Sequence, residues 1–313
     1  MPWLLLVIIV IALVFDFLNG FHDASNIVAS MISSRAASPR TALILTAMSE
    51  LAGPFLFGVA VATTIGSEVV NPATITSSVI VAALLGAILL NLITWYFGWP
   101  SSTSHALIGG LIGAVAMAAG FGTVEFGGLQ KVLITLFLSP ILGLVVGYLV
   151  FKLLYFLSRG ASPRVNTLFR RAQLATSLAL ALSHGTNDAQ KTMGIIAMAM
   201  VTTGYAAEFH VPLWVIAMSA GAIALGTAAG GWRLIKTLGG KFYKIRPIHA
   251  FGSQLTSAGI ILGAALLGGP VSTSHVVSSA IMGVGSADRV SKVRWTVARD
   301  IAVAWVLTIP IAA

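Results

Sequence analysis

Gly20-Phe21-His22-Asp23-Ala24-Ser25-Asn26 returns later in the chain as Gly185-Thr186-Asn187-Asp188-Ala189-Gln190-Lys191, a shift of 165 positions. Ala47-Met48-Ser49 returns as Ala217-Met218-Ser219, shifted by 170. Pro100-Ser101-Ser102-Thr103-Ser104-His105 returns as Pro270-Val271-Ser272-Thr273-Ser274-His275, again shifted by 170. Three matches in one order at nearly one offset mark an internal duplication, which constrains the fold more than any single motif does. The two halves are 1–157 and 173–313. A basic linker, 158–172, joins them and holds Arg159, Arg164, Arg170 and Arg171.

Around these motifs the chain is apolar. Of its 313 residues, 57% are hydrophobic and 9% charged, against about 25% charged in a soluble domain. So few charges cannot cover a water-facing surface. Stretches 4–14, 79–90, 132–149 and 250–267 are almost wholly apolar, and a bilayer span takes about 20 such residues. The expected fold is therefore an all-α polytopic membrane protein. The absence of cysteine excludes disulfides and thiolate metal sites. Residues 2–17 lack a basic leader and a cleavage site, so they read as a first span and not as a removed signal. A net charge of +9 would suggest nucleic acid in a soluble chain. Here it fits the excess of cations in inner-side loops, and no nucleic-acid module is present.

Loop charge orients the halves. Arg35 and Arg40 follow the first span, whereas the matching 202–211 has no Lys or Arg. The bias then reverses: 62–73 has none, and its counterpart carries Arg233, Lys236, Lys241, Lys244 and Arg246. Likewise 118–131 holds only Lys131, against Arg289, Lys292, Arg294 and Arg299. Equivalent loops thus lie on opposite sides, the pattern of an inverted-topology repeat and of many secondary transporters. The expected path has the N-terminus outside, 33–40 inside, 62–75 outside, a broken helical hairpin over 76–119 near the membrane midplane, and 158–172, 231–249 and 286–300 inside. Of the 18 Lys and Arg, Lys131 (outside) and Lys191 (within a span) depart from the inner side.

Ionisable residues inside a span cost several kcal/mol (about 2.5–3.5 each on insertion scales) and mark function by default. Here they are Asp16, Asp23, Glu50, Asp188, Lys191 and several histidines. Asp23 and Asp188 occupy equivalent positions where glycine and polar residues interrupt an apolar run, and such interruptions predict discontinuous helices. Asp23 with Asn26, and Asp188 with Asn187, offer hard oxygens suited to Na⁺ or to proton exchange. An Asp there can equally cap a helix or pair with a base. Pro100 and Pro270 end one helix and permit the next. Thr103, Ser104, Thr273 and Ser274 then fall at new helix N-termini, where free N–H groups and the dipole favour an anion. Simple N-caps would explain one such segment; two equivalent ones favour an anion site. Lys191 can pair with Asp188 at i+3, and Thr192 offers an anion a hydroxyl. His22, His105, His184 and His275 flank the breaks, each more ordinarily a packing residue than a ligand. Glu50, Asn91 and Gln254 lack polar counterparts and are secondary candidates, as are His22 and Lys191. Gly109-x-x-x-Gly113, Gly143-x-x-x-Gly147, Gly226-x-x-x-Gly230 and Gly259-x-x-x-Gly263 predict close helix contacts. No ATP-binding or serine-hydrolase motif is present.

At this point the motifs resemble those of the inorganic phosphate transporters of the Pit type, in their bacterial low-affinity branch. Phe17-Leu18-Asn19-Gly20-Phe21-His22-Asp23-Ala24-Ser25-Asn26 is similar to the first family signature, with Gly20-Phe21-His22-Asp23 where G-A-N-D is common. Leu182-Ser183-His184-Gly185-Thr186-Asn187-Asp188-Ala189-Gln190-Lys191-Thr192-Met193-Gly194 is similar to the second. The segments Trp95-Tyr96-Phe97-Gly98-Trp99-Pro100-Ser101-Ser102-Thr103-Ser104-His105 and Pro270-Val271-Ser272-Thr273-Ser274-His275 match its paired serine-rich stretches.

The resemblance implies two inverted repeats, a homodimer, and symport of phosphate with Na⁺ or H⁺ across the cytoplasmic membrane, without enzyme activity or an organic cofactor. It carries the cation site onto Asp23, Asn26, Asn187 and Asp188. It carries the anion site onto Ser102, Thr103, Ser104, Thr192, Ser272, Thr273 and Ser274. Sulfate transport by the same fold and an anion channel stand as alternatives. An intramembrane hydrolase using Ser104 or Ser274 is disfavoured, because a histidine adjacent in sequence points about 100° away on a helix.

Overall fold

The computed structural model describes residues 2–34, 36–71, 75–99, 101–162, 164–230 and 246–313. Among these residues there are eleven α-helices, and the β-pairing is an isolated bridge between Val70 and Val124. Helix α1 is Trp3–Ser33 and α2 is Pro39–Leu56. Ser38 accepts from the Thr41 N–H, and Pro39 opens α2 at a position where no N–H is needed. Helix α3, Ala60–Thr63, runs into a π turn at Thr64–Glu68, and this piece is bent 73° from α2. The hairpin that follows is α4, Ser77–Phe97, and α5, Thr103–Ala119. Helix α6, Phe126–Leu157, leads to α7, Val165–Thr202, and then to α8, Leu213–Ala229. The second hairpin is α9, Pro247–Leu266, and α10, Thr273–Asp288, before α11, Trp295–Ala312.

Among the described residues, Trp3–Ser33, Ser77–Phe97 and Phe126–Leu157 are each long and apolar enough to cross a bilayer, and Pro39–Leu56 with the bent piece Ala60–Glu68 is so when the two are taken as one span. The chain is a multi-pass membrane protein. Large apolar side chains such as Leu89, Leu149 and Leu153 lie exposed on the outside, the surface that lipid requires. Polar groups are turned inward instead: Asp16, Glu50, His184, Asp188 and Lys191 are all buried.

Helices α1 and α7 pack against each other. Helix α1 packs on α8 and α2 on α7, while α5 packs on α11 and α6 on α10. Glycines set these distances. A Cβ at Gly20 would strike the Ile223 carbonyl, one at Gly226 the Phe17 carbonyl, and one at Gly185 the Glu50 carbonyl. Gly109, Gly113, Gly143 and Gly147 likewise meet backbone or small side chains of α10 and α11 or the C-terminal residue. Gly259 and Gly263 face open space, so that pattern makes no helix contact here.

Three expectations need correction. Gly20 and Gly185 do not interrupt their helices: α1 and α7 run unbroken past Asp23 and Asp188. Both glycines serve close packing, and the backbone carbonyls there stay in the helix ladder. The stretch 62–73, read as a loop, starts with helical residues because the Gln190 side chain accepts from the Val61 and Ala62 N–H groups at 2.7 and 3.3 Å. The linker 158–172 becomes helical from Val165. The predicted breaks at the two serine-rich segments do occur, between α4 and α5 and between α9 and α10. Arg35, Pro100, Arg233, Lys236, Lys241 and Lys244 lie outside the described residues.

Candidate functional site

Asp23 on α1 and Asp188 on α7 meet where these helices pack together, with His184 one turn before Asp188. Each of the three offers a ligand atom, and these atoms lie within 4.8 Å of one another. His184 Nε2 is 3.7 Å from Asp23 Oδ2 and 3.5 Å from Asp188 Oδ2. Its Nδ1 is 2.7 Å from Glu50 Oε1 on α2. Gly185 and Gly53 make this contact possible, because each lets α2 and α7 approach backbone to backbone. Three carboxylates thus surround one imidazole in a dry setting, where each charge needs a partner. Asn26 donates to Asp23 Oδ1 at 3.0 Å.

The two hairpin tips close on this centre. Ser102 and Ser272 are the N-caps of α5 and α10 and accept from the N–H groups of His105 and His275 at 3.2 and 3.4 Å. The next residues point at the carboxylates. Thr103 donates to Asn19 Oδ1 at 2.7 Å, Asn19 donates to Asp188 Oδ2 at 3.2 Å, and Thr273 donates to Asp188 Oδ1 at 3.3 Å. Ser104 donates to the Val271 carbonyl of the opposite tip at 2.9 Å. The first tip therefore reaches Asp188 through Asn19, and the second reaches it directly. Two helix N-termini, with their donors and positive dipole ends, face one acidic cluster. This arrangement can bind an anion and a cation side by side.

Lys191 pairs with Asp188 Oδ1 at 2.7 Å, as the spacing predicts, and also donates to Ser104 and to the Val271 carbonyl. Asn187 takes a different place from the one expected. Its amide donates to the Gly269 carbonyl and accepts from the Val271 N–H, both at 3.1 Å. It spends both polar atoms fixing the second tip. Thr192 is buried with its hydroxyl directed at the carboxyl of Asp16. Ser274 is half-buried, 3.3 Å from Ser272. His105 and His275 lie ring against ring at 4.4 Å, and His275 stacks on Trp305 at 4.0 Å, which is a packing role.

Among the secondary candidates, Glu50 joins the centre through His184. Gln254 belongs elsewhere, in a separate bridge to Ser30 at 2.7 Å and Thr176 at 2.8 Å. His22 lies 3.6 Å from Asp23 and lines a cavity of about 210 Å³ with Phe17, Phe21, Asn91 and Trp95. The polar atoms of His22 and Asn91, and the Trp95 indole nitrogen, have no hydrogen bond there. The residues at this centre that the expected cation and anion sites leave out are Asn19, His184 and Asp16, the last two named only among the ionisable groups inside spans. Two of them had a signal: Asn19 and His184 are equivalent under the 165 shift, each four residues before its aspartate. Asp16 lies seven residues before Asp23, on the same helical face.

Residues 19–313 match the model of the phosphate transporter family. The chain is 45% identical over 314 residues to a protein of Bacillus subtilis (strain 168) described as a "probable low-affinity inorganic phosphate transporter", covering 99% of this chain and 94% of that one. A protein of Rhizobium meliloti (strain 1021) with the same description is 45% identical over 312 residues, covering 99% and 93%. Among solved structures, "The sodium-dependent phosphate transporter" superposes with a TM-score of 0.90 at 23% identity, covering 99% of this chain and 96% of the other.

Proposed function

The chain belongs to the phosphate transporter family, and from that premise we propose that it is a secondary active transporter of inorganic phosphate, coupled to Na⁺ or H⁺, in the cytoplasmic membrane. The observation that carries the coupling is the contact between an acidic cluster and two helix N-termini. Phosphate sits between the tips, held by Thr103, Ser104, Thr273 and Ser274, by the N–H groups that Ser102 and Ser272 cap, and by Thr192. The hydroxyls that now donate to Asn19, Asp188 and Val271 turn to the anion when it enters. A hydroxyl can also accept, which suits the proton of HPO₄²⁻ and not SO₄²⁻. The cation binds at Asp23 with Asn26 and at the Asp23–Asp188 junction, where His184 links both carboxylates to Glu50. Its charge offsets the anion, so the fully loaded site crosses and the half-loaded site does not.

The description of the structural neighbour as sodium-dependent supports Na⁺ as one coupling ion to test. The reciprocal packing of α1 on α8 and α2 on α7 supports the reading of two inverted repeats, 1–157 and 173–313, joined by the basic linker 158–172. With that reading go an N-terminus outside and the cation-rich loops inside. The family resemblance adds a homodimer. The test is uptake by Asp23→Asn and Asp188→Asn, each checked for monodispersity. Both should lower cation-driven phosphate uptake by about tenfold or more, which is about 1.4 kcal/mol in the barrier. Cation-dependent uptake kept by both variants would overturn the assignment.

A further inference from the structure

Among the described residues, Lys191 is the largest polar side chain buried almost without exposure, at 1%. Its ammonium has three N–H donors, and each has an oxygen. Asp188 Oδ1 is at 2.7 Å, Ser104 Oγ at 2.5 Å and the Val271 carbonyl at 2.8 Å. These oxygens come from three places: α7 itself, the start of α5, and the tip before α10. A carboxylate, a hydroxyl and an unwound backbone carbonyl make the donor set with which broken-helix transporters hold an alkali cation.

The first half has no such group. The position equivalent to Lys191 under the 165 shift is Asn26, a neutral amide that donates to Asp23 Oδ1. Asp23 therefore has an amide as its i+3 partner, whereas Asp188 has an ammonium from the next turn of its own helix. The asymmetry is sharp because the surrounding residues keep the symmetry: Asp23 with Asp188, Thr103 with Thr273, Ser104 with Ser274.

We propose that Lys191 is a resident cation: its ammonium fills the second-half cation position, so that position exchanges no ion during transport. The inference rests on the transporter reading above and deepens it. Two consequences follow. The chain couples phosphate to one ion fewer than it would with a neutral residue at 191. Removing the ammonium, with its oxygens left in place, creates a Na⁺ site that the wild-type chain lacks. Lys191 is then a specificity-determining residue for ion stoichiometry and not a phosphate ligand.

The experiment is equilibrium binding of radioactive Na⁺ to purified protein, without transport. It compares the wild-type chain, Lys191→Ala, and Lys191→Ala with Asp188→Asn. The proposal expects Lys191→Ala to bind one more Na⁺ per chain than the wild-type protein, and the double variant to bind no more than the wild-type protein. The gain does not depend on whether the wild-type protein carries Na⁺ or H⁺. It also survives a failure of phosphate uptake, which would sink the transporter reading alone. Should Lys191→Ala fold poorly in low salt, Na⁺ or the added Asp188→Asn must restore it, because either offsets the buried negative charge that the lost ammonium had balanced. An unchanged Na⁺ count in folded Lys191→Ala overturns the proposal, and so does misfolding that neither measure corrects.

Discussion

Asn187→Ala separates two roles that one residue could play. In the structure its amide bonds the Gly269 carbonyl and the Val271 N–H, both at 3.1 Å, in a buried setting. Truncation leaves one donor and one acceptor of the backbone without partners. Each orphaned buried group costs about 1–3 kcal/mol, so the sum is about 2–6, nearer the low end if water enters the space of the lost amide. At roughly 2 °C per kcal/mol for a long chain, the melting temperature should fall by on the order of 4–12 °C. The second tip also positions the Val271 carbonyl, which holds Lys191 and Ser104. Phosphate affinity should therefore weaken along with stability. The dependence on cation concentration should stay as in the wild-type protein. The assay is thermal unfolding in detergent, followed by uptake at varied phosphate and varied Na⁺ or pH. Unchanged stability with a weakened cation dependence would show that Asn187 is a cation ligand and refute the pinning role.

Three further outcomes follow from the geometry. Gly185→Ala places a Cβ on the Glu50 backbone, with its Cα at 2.6 Å; overpacking of this kind costs about 1–3 kcal/mol and should move Glu50 off His184, lowering both melting temperature and uptake, and a variant that melts and transports normally would contradict the close contact. Ser272→Ala removes the cap of α10 and should cost about 1 kcal/mol, with a raised KM for phosphate; an unchanged KM would take this N-terminus out of the anion site. Glu68→Gln breaks the pair with Lys131 at 3.0 Å, but these side chains are 40% and 38% exposed. Such a pair contributes at most about 1 kcal/mol, so uptake should be unaffected, and a large loss would mean that the π turn at Thr64–Glu68 takes part in transport.

Much of this architecture is readable from residue order because lipid forces it. Apolar runs must be helices, and Ser102 and Ser272 announce new helix starts after a break. The paired aspartates stand out because a carboxylate inside a span is too costly to keep without a partner or a ligand. The structure departs from that reading at glycine. In water-soluble proteins glycine weakens a helix, whereas between membrane helices it permits contact, and Gly20 and Gly185 do the second. The Glu50–His184 contact is invisible to motif reading because 134 residues separate the partners and Glu50 has Ala220 as its counterpart. Asn187 illustrates a different limit. An amide beside an aspartate suits a cation as well as a backbone, and the position of the hairpin tip decides between them.

The central claim is that an acidic cluster and two helix N-termini together couple phosphate movement to a cation. Radiolabelled phosphate uptake into proteoliposomes of the purified protein tests it most directly, comparing an imposed Na⁺ gradient with an imposed pH gradient and adding sulfate as competitor. The account predicts uptake that one of the gradients drives and that sulfate leaves unchanged. Phosphate flux that neither gradient alters, or uptake that sulfate displaces, would contradict it.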